Sequence, residues 1–364
     1  MEHGFTGIKK KLGFGVMRLP KIGEEVDIPA VTTMVDAFMQ AGFNYFDTAR
    51  PYLQGQSEQA VKICVAQRYP RESFILTNKL SNSCFEKEED IRPFFQSQLE
   101  ACGGEYFDFY LMHAMNAKSH EKYQATHAYD VAQQLKAEGK IRHVGFSFHD
   151  TAEVLDKILT DRPELEVVQL QLNYLDWEDP EVQSRACYEV CVKHNKPVIV
   201  MEPVRGGRLA NVPEQAKALM TSGSPASYAI RFAAGWDNVV MVLSGMSSMA
   251  QMQDNLSFMQ HFQPLSPEEM ALSGKVRTLY QAQNKIPCTA CRYCTDGCPA
   301  GIDIPELFAC LNDQRAGQEQ TLSRYAAFET KADACVECGQ CEAVCPQHLS
   351  IRELLKQVQK ALTP

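Results

Sequence analysis

Short apolar runs alternate with longer amphipathic stretches over the first two thirds of the chain. The spacing of apolar residues between the runs is helical, as at Val31, Val35 and Phe38. This alternation, over about 260 residues, predicts a (β/α)8 TIM barrel. A doubly wound sheet has the same alternation, but it normally carries a GxGxxG turn that this sequence lacks. The predicted strands are residues 12–19, 43–46, 74–77, 107–112, 142–146, 167–172, 198–201 and 239–243.

Polar residues collect where these predicted strands stop. The five positions are Asp47, Lys79, His113, Ser147 and Asn173. Any one of them alone is better explained as a strand cap or a satisfied buried polar group. Together they indicate an active site, because barrel enzymes build their sites at the carboxyl ends of the strands.

Four residues form a constellation suited to carbonyl chemistry. The phenol of Tyr52 has an unperturbed pKa of about 10, so it needs a nearby cation to act as an acid at neutral pH. Lys79 can supply that charge, and Asp47 can keep the ammonium ionised and aimed. His113 can hydrogen-bond the substrate oxygen. The predicted chemistry is polarisation of a carbonyl by a hydroxyl while a bound donor delivers hydride.

The segments around these residues resemble the aldo-keto reductases. The resemblance is carried by DTARPY, LTNKL and FDFYLMHA, and later by GKIRHVGFSFH, MEPVRGGRL and LSGMSSMAQMQDNL. It covers roughly residues 12–258. It implies that Tyr52 is the general acid/base, that Lys79 and Asp47 tune it, and that His113 orients the substrate.

The resemblance also implies a nicotinamide dinucleotide, NADP or NAD, at the barrel mouth. Glu202 stands where many family members place an aromatic ring against the nicotinamide. The adenosine segment lacks the basic residues usual for a 2'-phosphate, so NADH use is as plausible as NADPH use. The implied contacts are Ser147 and Gln169 for the carboxamide, Pro203, Arg205, Gly206 and Leu209 for the pyrophosphate, and Gly245, Ser247, Gln251, Asp254 and Asn255 for the adenosine.

Two cysteine runs near the C-terminus share the spacing C-x2-C-x2-C-x3-C-P. This is the bacterial ferredoxin pattern, in which the fourth cysteine of each run binds the other cluster. Zinc sites usually use separated C-x2-C pairs instead. The runs predict two [4Fe-4S] clusters, one held by Cys288, Cys291, Cys294 and Cys345, the other by Cys335, Cys338, Cys341 and Cys298.

The segment between the two runs is longer than in compact ferredoxins and has helical patterns at residues 305–311 and 322–328. The module therefore resembles the helical type of ferredoxin. The predicted organisation is a barrel at residues 1–265, a helical linker at 266–283 and a small, mainly α-helical ferredoxin-like domain at 284–364.

Composition narrows the cellular role. A net charge of -9 argues against a nucleic-acid partner. The apolar runs are too short to span a bilayer, and the N-terminal residues lack the apolar segment of a signal peptide. Fourteen cysteines in a large chain without an export signal fit cluster ligation in a reducing cytoplasm.

Three functions are compatible with these features. The barrel can be a reductase of a small-molecule carbonyl whose clusters relay electrons to or from an external ferredoxin or flavoprotein. It can be a reductase whose clusters are structural or redox-sensing. It can also be an electron-transfer subunit without barrel catalysis, which an intact tetrad argues against.

Overall fold

Eight parallel strands close into a barrel in the computed structural model, which describes residues 5–316, 318 and 320–363. Each strand pairs with its neighbours in the chain, and the first strand pairs with both the second and the last. This confirms the predicted TIM barrel. The strands are β1 Leu12–Gly15, β2 Tyr45–Asp47, β3 Ile75–Leu80, β4 Phe107–Met115, β5 Ile141–Phe148, β6 Val167–Gln171, β7 Val198–Met201 and β8 Val239–Ser244.

The helices of the barrel bury one apolar face, and several of them begin at a side-chain cap. In Ile28–Gln40 the buried residues Val31, Met34 and Phe38 share a face, and the Asp27 side chain accepts from the Ala30 N–H. The other α-helices are Gln56–Val61, Glu88–Cys102, Ala117–Ala125, Ala128–Ala137, Ala152–Asp161, Ser184–Lys193, Pro225–Ala234 and Met249–Met259. A short hairpin pairs Lys21–Ile22 with Glu25–Val26.

Packing between neighbouring strands leaves no room for a side chain at Gly145. A Cβ there would lie 2.2 Å from the carbonyl oxygen of Val167 on β6. The glycine thus allows β5 and β6 to pair in register, with Ser147 beside Gln169.

Several predicted boundaries were wrong. Lys79, His113 and Ser147 lie inside strands β3, β4 and β5 and do not follow them. These strands continue because their polar side chains find buried hydrogen-bond partners, so polarity alone does not end them. Residues 117–137 form two helices, which are separated where His127 adopts a left-handed φ of 52°.

The described residues group into two compact units, which differ from the predicted division at 265. The first comprises residues 5–204 and 222–270, and the second comprises 205–221 and 271–363. The segment 205–221 therefore belongs with the C-terminal residues. No described helix has the length and apolar character needed to cross a membrane.

The second unit is mainly helical. Along Ile351–Leu362 the buried residues are Ile351, Leu355, Val358 and Leu362, which form one apolar face. They share a core with buried side chains of the helix Ile304–Arg315. The remaining α-helices are Glu214–Lys217, Pro267–Gln281, which begins in the first unit, Tyr293–Asp296, Thr321–Ala326 and Gln340–Ala343.

Candidate active site and cysteine cavities

Lys79 and Asp47 form a buried ion pair at the ends of two neighbouring strands. The Lys79 Nζ lies 2.5 Å from Asp47 Oδ1 and donates to the Thr48 carbonyl at 3.0 Å. Lys79 is fully buried. Burial lowers the pKa of its ammonium, and the charge of Asp47 opposes that shift. The structure therefore brings together the pair predicted to tune the phenol.

Tyr52 and His113 complete the tetrad. The Lys79 Nζ lies 4.9 Å from the centroid of the Tyr52 ring, and the rings of Tyr52 and His113 are 5.8 Å apart at 80°. Tyr52 is followed by Leu53 and Gln54, both in left-handed backbone conformations. Non-glycine residues in that conformation are uncommon and cluster at functional sites.

His113 is held by a serine that the sequence analysis missed. The Ser81 Oγ and His113 Nδ1 are 2.7 Å apart, and both residues are buried. Burial, and next the charge of Lys79, lower the pKa of His113 well below its usual value. The imidazole is therefore neutral at pH 7 and can offer one N–H to a substrate oxygen. Ser81 lies directly after the last residue of β3, two positions beyond Lys79.

A buried carboxylate behind Lys79 was also missed. Glu58 Oε2 lies 2.5 Å from Arg50 Nε, and Glu58 Oε1 accepts from Asn78 and Gln98. Gln98 also donates to the Lys79 carbonyl at 3.0 Å. This network links the loop that carries Tyr52 to the strand that carries Lys79. The signal in the sequence is an acidic residue on the inner face of a helix, eight positions after Arg50.

Two predicted cofactor residues of the barrel adjoin the tetrad. Gln169 Nε2 donates to Asp47 Oδ2 at 3.1 Å. The Ser147 hydroxyl accepts from the backbone N–H of Ala114, the residue after His113, at 2.8 Å. The structure thus places Gln169 against Asp47, and Ser147 against the backbone of the residue that follows His113.

Glu202 forms an ion pair that the sequence did not reveal. Its Oε1 lies 3.3 Å from Arg18 Nη2, and its backbone is left-handed with a φ of 53°. The Glu202 carbonyl accepts from the Asn173 amide at 3.0 Å. Pro203, the next residue, is buried and lies in the first unit. Arg18 therefore offsets the charge of the Glu202 carboxylate.

The predicted adenosine segment surrounds the start of the helix Met249–Met259. Ser247 donates through its hydroxyl to the Arg18 carbonyl at 2.7 Å, and its N–H donates to the Gln251 side chain. Asn255 is buried and bonded to Ser244. Asp254 accepts from Ser224, and Gly245 adjoins the side chain of Arg18.

The remaining predicted pyrophosphate contacts belong to the second unit. Arg205 is buried with a φ of 47°, and Gly206 has a φ of 64°. A Cβ on Gly206 would lie 2.4 Å from the Thr289 carbonyl oxygen. Leu209 is fully buried. This loop packs against the segment that carries the first cysteine run.

The eight cysteines of the two runs line two cavities of the second unit. The first has about 320 Å³ of space, partly open to solvent, and contains Cys288, Cys291, Cys294 and Cys345. The second has about 330 Å³ and contains Cys298, Cys335, Cys338 and Cys341. Each cavity takes three cysteines from one run and the fourth from the other. Four thiols around one space are the donor set of a [4Fe-4S] cluster, so the residues fit that group.

The two runs fold alike. A four-residue helix begins between the second and third cysteine of each motif, at Tyr293 and at Gln340. Each helix is preceded by a left-handed residue, Arg292 with a φ of 68° or Gly339 with a φ of 77°. The equal spacing of the cysteines thus corresponds to a repeated local structure.

Comparison with known proteins identifies both parts of the chain. Residues 11–277 match the model of the Aldo/keto reductase family. The chain belongs to this family. Residues 287–349 match the model of the 4Fe-4S dicluster domain. The predicted aldo-keto reductase with a C-terminal iron-sulfur domain is therefore confirmed, and the protein is an oxidoreductase.

Relatives of this aldo-keto reductase resemble it at low identity. L-galactose dehydrogenase of Arabidopsis thaliana is 26% identical over 307 residues, covering 77% of this chain and 94% of its own. An aldo-keto reductase of Bacillus halodurans in its holo form superposes with a TM-score of 0.60 at 24% identity, covering 74% of this chain and 92% of its own. An aldo-keto reductase from Klebsiella pneumoniae, solved in complex with NADPH, superposes with a TM-score of 0.60 at 20% sequence identity. The superposition covers 75% of this chain and 95% of the Klebsiella chain. These structures share the fold.

Proposed function

We propose that the barrel unit reduces a small-molecule aldehyde or ketone, or oxidises the corresponding alcohol, with Tyr52 as the proton donor. The observation that carries the proposal is the Lys79 ammonium, 2.5 Å from Asp47 and 4.9 Å from the centre of the Tyr52 ring. A cation at that position favours the ionised phenol and makes Tyr52 a stronger acid.

In the reduction, the substrate oxygen lies within reach of Tyr52 and the neutral His113. A bound nicotinamide supplies the hydride, with its electron pair, to the carbonyl carbon. The proton of the Tyr52 hydroxyl goes to the carbonyl oxygen, which leaves a phenolate beside Lys79. His113 orients the oxygen by a hydrogen bond. The phenolate regains its proton from solvent, and the product is the alcohol.

The dinucleotide is NADP or NAD, held in this proposal by the residues that the family resemblance assigned. A structural relative was solved with NADPH, which supports the phosphorylated form. The Arg18 side chain, bonded to Glu202 and adjoining Gly245, adds a cation near the predicted adenosine segment. Separate titrations with NADH and NADPH determine which cofactor binds more tightly.

Replacing Lys79 by Met tests the catalytic proposal. We expect the variant to lose carbonyl reduction by about 10²- to 10⁴-fold in kcat, the contribution of general acid catalysis. The exposed Lys87 provides the control, because Lys87→Met leaves the tetrad untouched. The assay uses a panel of small aldehydes and ketones, and L-galactose in the reverse direction because a relative is L-galactose dehydrogenase. Turnover by Lys79→Met near that of the wild type refutes the proposal.

We also propose that the second unit holds two [4Fe-4S] clusters with the crossed ligand sets predicted from the sequence. The two cysteine-lined cavities support this assignment. Anaerobic reconstitution followed by iron and sulfide analysis tests it. We expect about eight iron atoms per chain, four per cluster. About four iron atoms, or bound zinc, contradicts the proposal.

We propose that the clusters relay electrons, with a ferredoxin or flavoprotein as the external partner. The support is Cys338, an exposed ligand of the second cavity, because an exposed cluster edge suits electron exchange with another protein. The reducing cytoplasm is the proposed location. Anaerobic mixing with each reduced nicotinamide separates a relay from a structural role. Bleaching of the cluster absorbance supports the relay, whereas unchanged absorbance supports a structural or redox-sensing role.

A further inference from the structure

The first cysteine run is held in place by a loop from elsewhere in the chain. Arg208 donates from Nε to the carbonyl oxygen of Cys288 at 2.7 Å. Its Nη1 lies 3.4 Å from the hydroxyl of the buried Tyr280. Both partners are neutral groups. The guanidinium therefore places a positive charge at the backbone carbonyl of the first ligand residue.

A second contact between the loop 205–209 and the first cysteine run is made by Gly206. A Cβ on Gly206 would lie 2.4 Å from the Thr289 carbonyl oxygen and 3.0 Å from its Cα. Only glycine fits there, and Gly206 also has a left-handed φ of 64°. The neighbouring Gly207 has a φ of 90° as well, but a Cβ there would meet nothing within 4 Å. Gly206 and Arg208 therefore contact the cysteine run, whereas a Cβ on Gly207 would not.

The opposite side of the ligand segment is fixed by a buried amide. Asn312 accepts from the N–H of Ile286 at 2.7 Å and donates to the Ile286 carbonyl at 3.1 Å. The peptides from Ile286 to Thr289 thus lie between the helix Ile304–Arg315 and the loop 205–209. A displacement of the loop would be transmitted to Cys288.

We propose that Arg208 is a positioning residue of the first iron-sulfur site, which holds the peptide of Cys288 in place and raises that cluster's reduction potential. The inference rests on the proposed function, which places a cluster at Cys288. A cation near a cluster stabilises its more negative, reduced form. The hydrogen bond to the Cys288 carbonyl fixes the position of that cation relative to the first ligand.

The second cluster provides an internal reference for the test. Arg352 lines the second cavity and forms an ion pair with Glu342 at 2.7 Å. We expect the loss of the Arg352 charge to lower the reduction potential of the second cluster. A comparison of the variants Arg208→Gln and Arg352→Gln therefore assigns each cluster signal to one of the two cysteine sets.

The experiment is an anaerobic redox titration of the reconstituted full chain, followed by electron paramagnetic resonance. We expect Arg208→Gln to lower one potential by about 59 mV, a tenfold change in a one-electron equilibrium. Arg208→Lys, which retains the charge, recovers part of this shift. We expect Arg352→Gln to lower the other potential.

Two glycine variants test the contact without altering charge. Gly206→Ala and Gly207→Ala share the cost of a left-handed alanine, but only the first meets Thr289. We expect Gly206→Ala alone to perturb the spectrum of the first cluster. Equal spectra for the two variants overturn the inference. Two assembled clusters whose potentials do not respond to Arg208→Gln also overturn it and leave the proposed function standing. A reconstituted chain without iron refutes both.

Discussion

The barrel site and the cysteine cavities are organised by different means. In the barrel, side chains hold one another: Lys79 bonds to Asp47, Asp47 to Gln169, and His113 to Ser81. In the second unit, four thiols surround each of two spaces that are partly open to solvent. The barrel tetrad is therefore held by bonds between protein side chains, whereas the proposed clusters would link the thiols of each cavity.

This contrast is wrong if the folding of the second unit does not depend on its clusters. We expect removal of iron, or the substitution Cys294→Ser, to abolish the cooperative unfolding of the second unit, because binding free energy contributes to folding at such sites. The barrel unit should keep its own transition. Calorimetry and far-UV circular dichroism of the same samples measure both.

Cys310 supplies the matched control for that experiment. It is fully buried in the core of the second unit but belongs to neither cysteine run. Cys310→Ala should cost some packing energy and retain both clusters. Equal loss of iron in Cys294→Ser and Cys310→Ala would show that the effect comes from the core and not from ligation.

The barrel side of the comparison depends on Glu58, whose loss should have the next largest effect. Glu58→Gln removes the charge opposite Arg50 and brings an amide N–H towards the donors of Asn78 and Gln98. We expect the free energy of unfolding of the barrel to fall by about 1–3 kcal/mol, the cost of unsatisfied buried groups. Urea unfolding with the exposed Glu121→Gln as control measures it. A change as small as the control's would contradict a structural role for the network.

The contact between Ser81 and His113 should have a smaller effect, confined to catalysis. A hydrogen bond contributes about 0.5–1.5 kcal/mol, so Ser81→Ala should lower kcat/KM by about twofold to twelvefold. Because the pKa of His113 is depressed, the acid limb of the wild-type rate profile should lie below pH 6.5. Rate profiles of Ser81→Ala and the exposed Ser83→Ala test both statements. An acid limb centred above pH 6.5 would show a protonated imidazole in the working range.

A further prediction concerns the acid stability of the barrel. The hydrogen bond from Arg231 lowers the pKa of Glu269 to about 2. Since an unfolded glutamate titrates at about 4.3, the pair stabilises the fold above that pH, and the contribution is lost as pH falls towards 2. In the variant Arg231→Gln, the free energy of unfolding should fall less steeply as the pH is lowered. Denaturation at a series of acidic pH values measures how the free energy of unfolding depends on pH. Equal slopes for the wild type and the variant would show that the pair of Arg231 and Glu269 does not contribute to acid stability.

The barrel was predictable from the regular alternation of apolar runs, and the two cysteine cavities from the repeated cysteine spacing. The tetrad was predicted from the polar residues at strand ends and from the family motifs around them. Strand ends were less predictable. Lys79 and His113 lie inside their strands, since hydrogen bonds from distant residues compensate their burial. Spacing carries no information about such partners. Ser81 and Glu58 were missed for the same reason, as both act through residues on other elements.

The loop 205–209 illustrates a second limit. Its sequence predicted a contact with the cofactor, and nothing in it indicated a bond from Arg208 to Cys288, eighty positions later. That bond follows from the tertiary fold of the second unit. The predicted domain boundary at residue 265 likewise assumed that neighbours in sequence belong together, whereas the structure groups residues 205–221 with 271–363.

The central claim is that the Tyr52 hydroxyl gives its proton to the substrate oxygen. The most direct test is the single-turnover rate of carbonyl reduction by Tyr52→Phe, measured in reconstituted protein beside dinucleotide binding to the same sample. We predict that reduction falls by about 10²- to 10⁴-fold while the dissociation constant of the dinucleotide stays within about twofold. A rate near that of the wild type, with the dinucleotide bound, would contradict the claim.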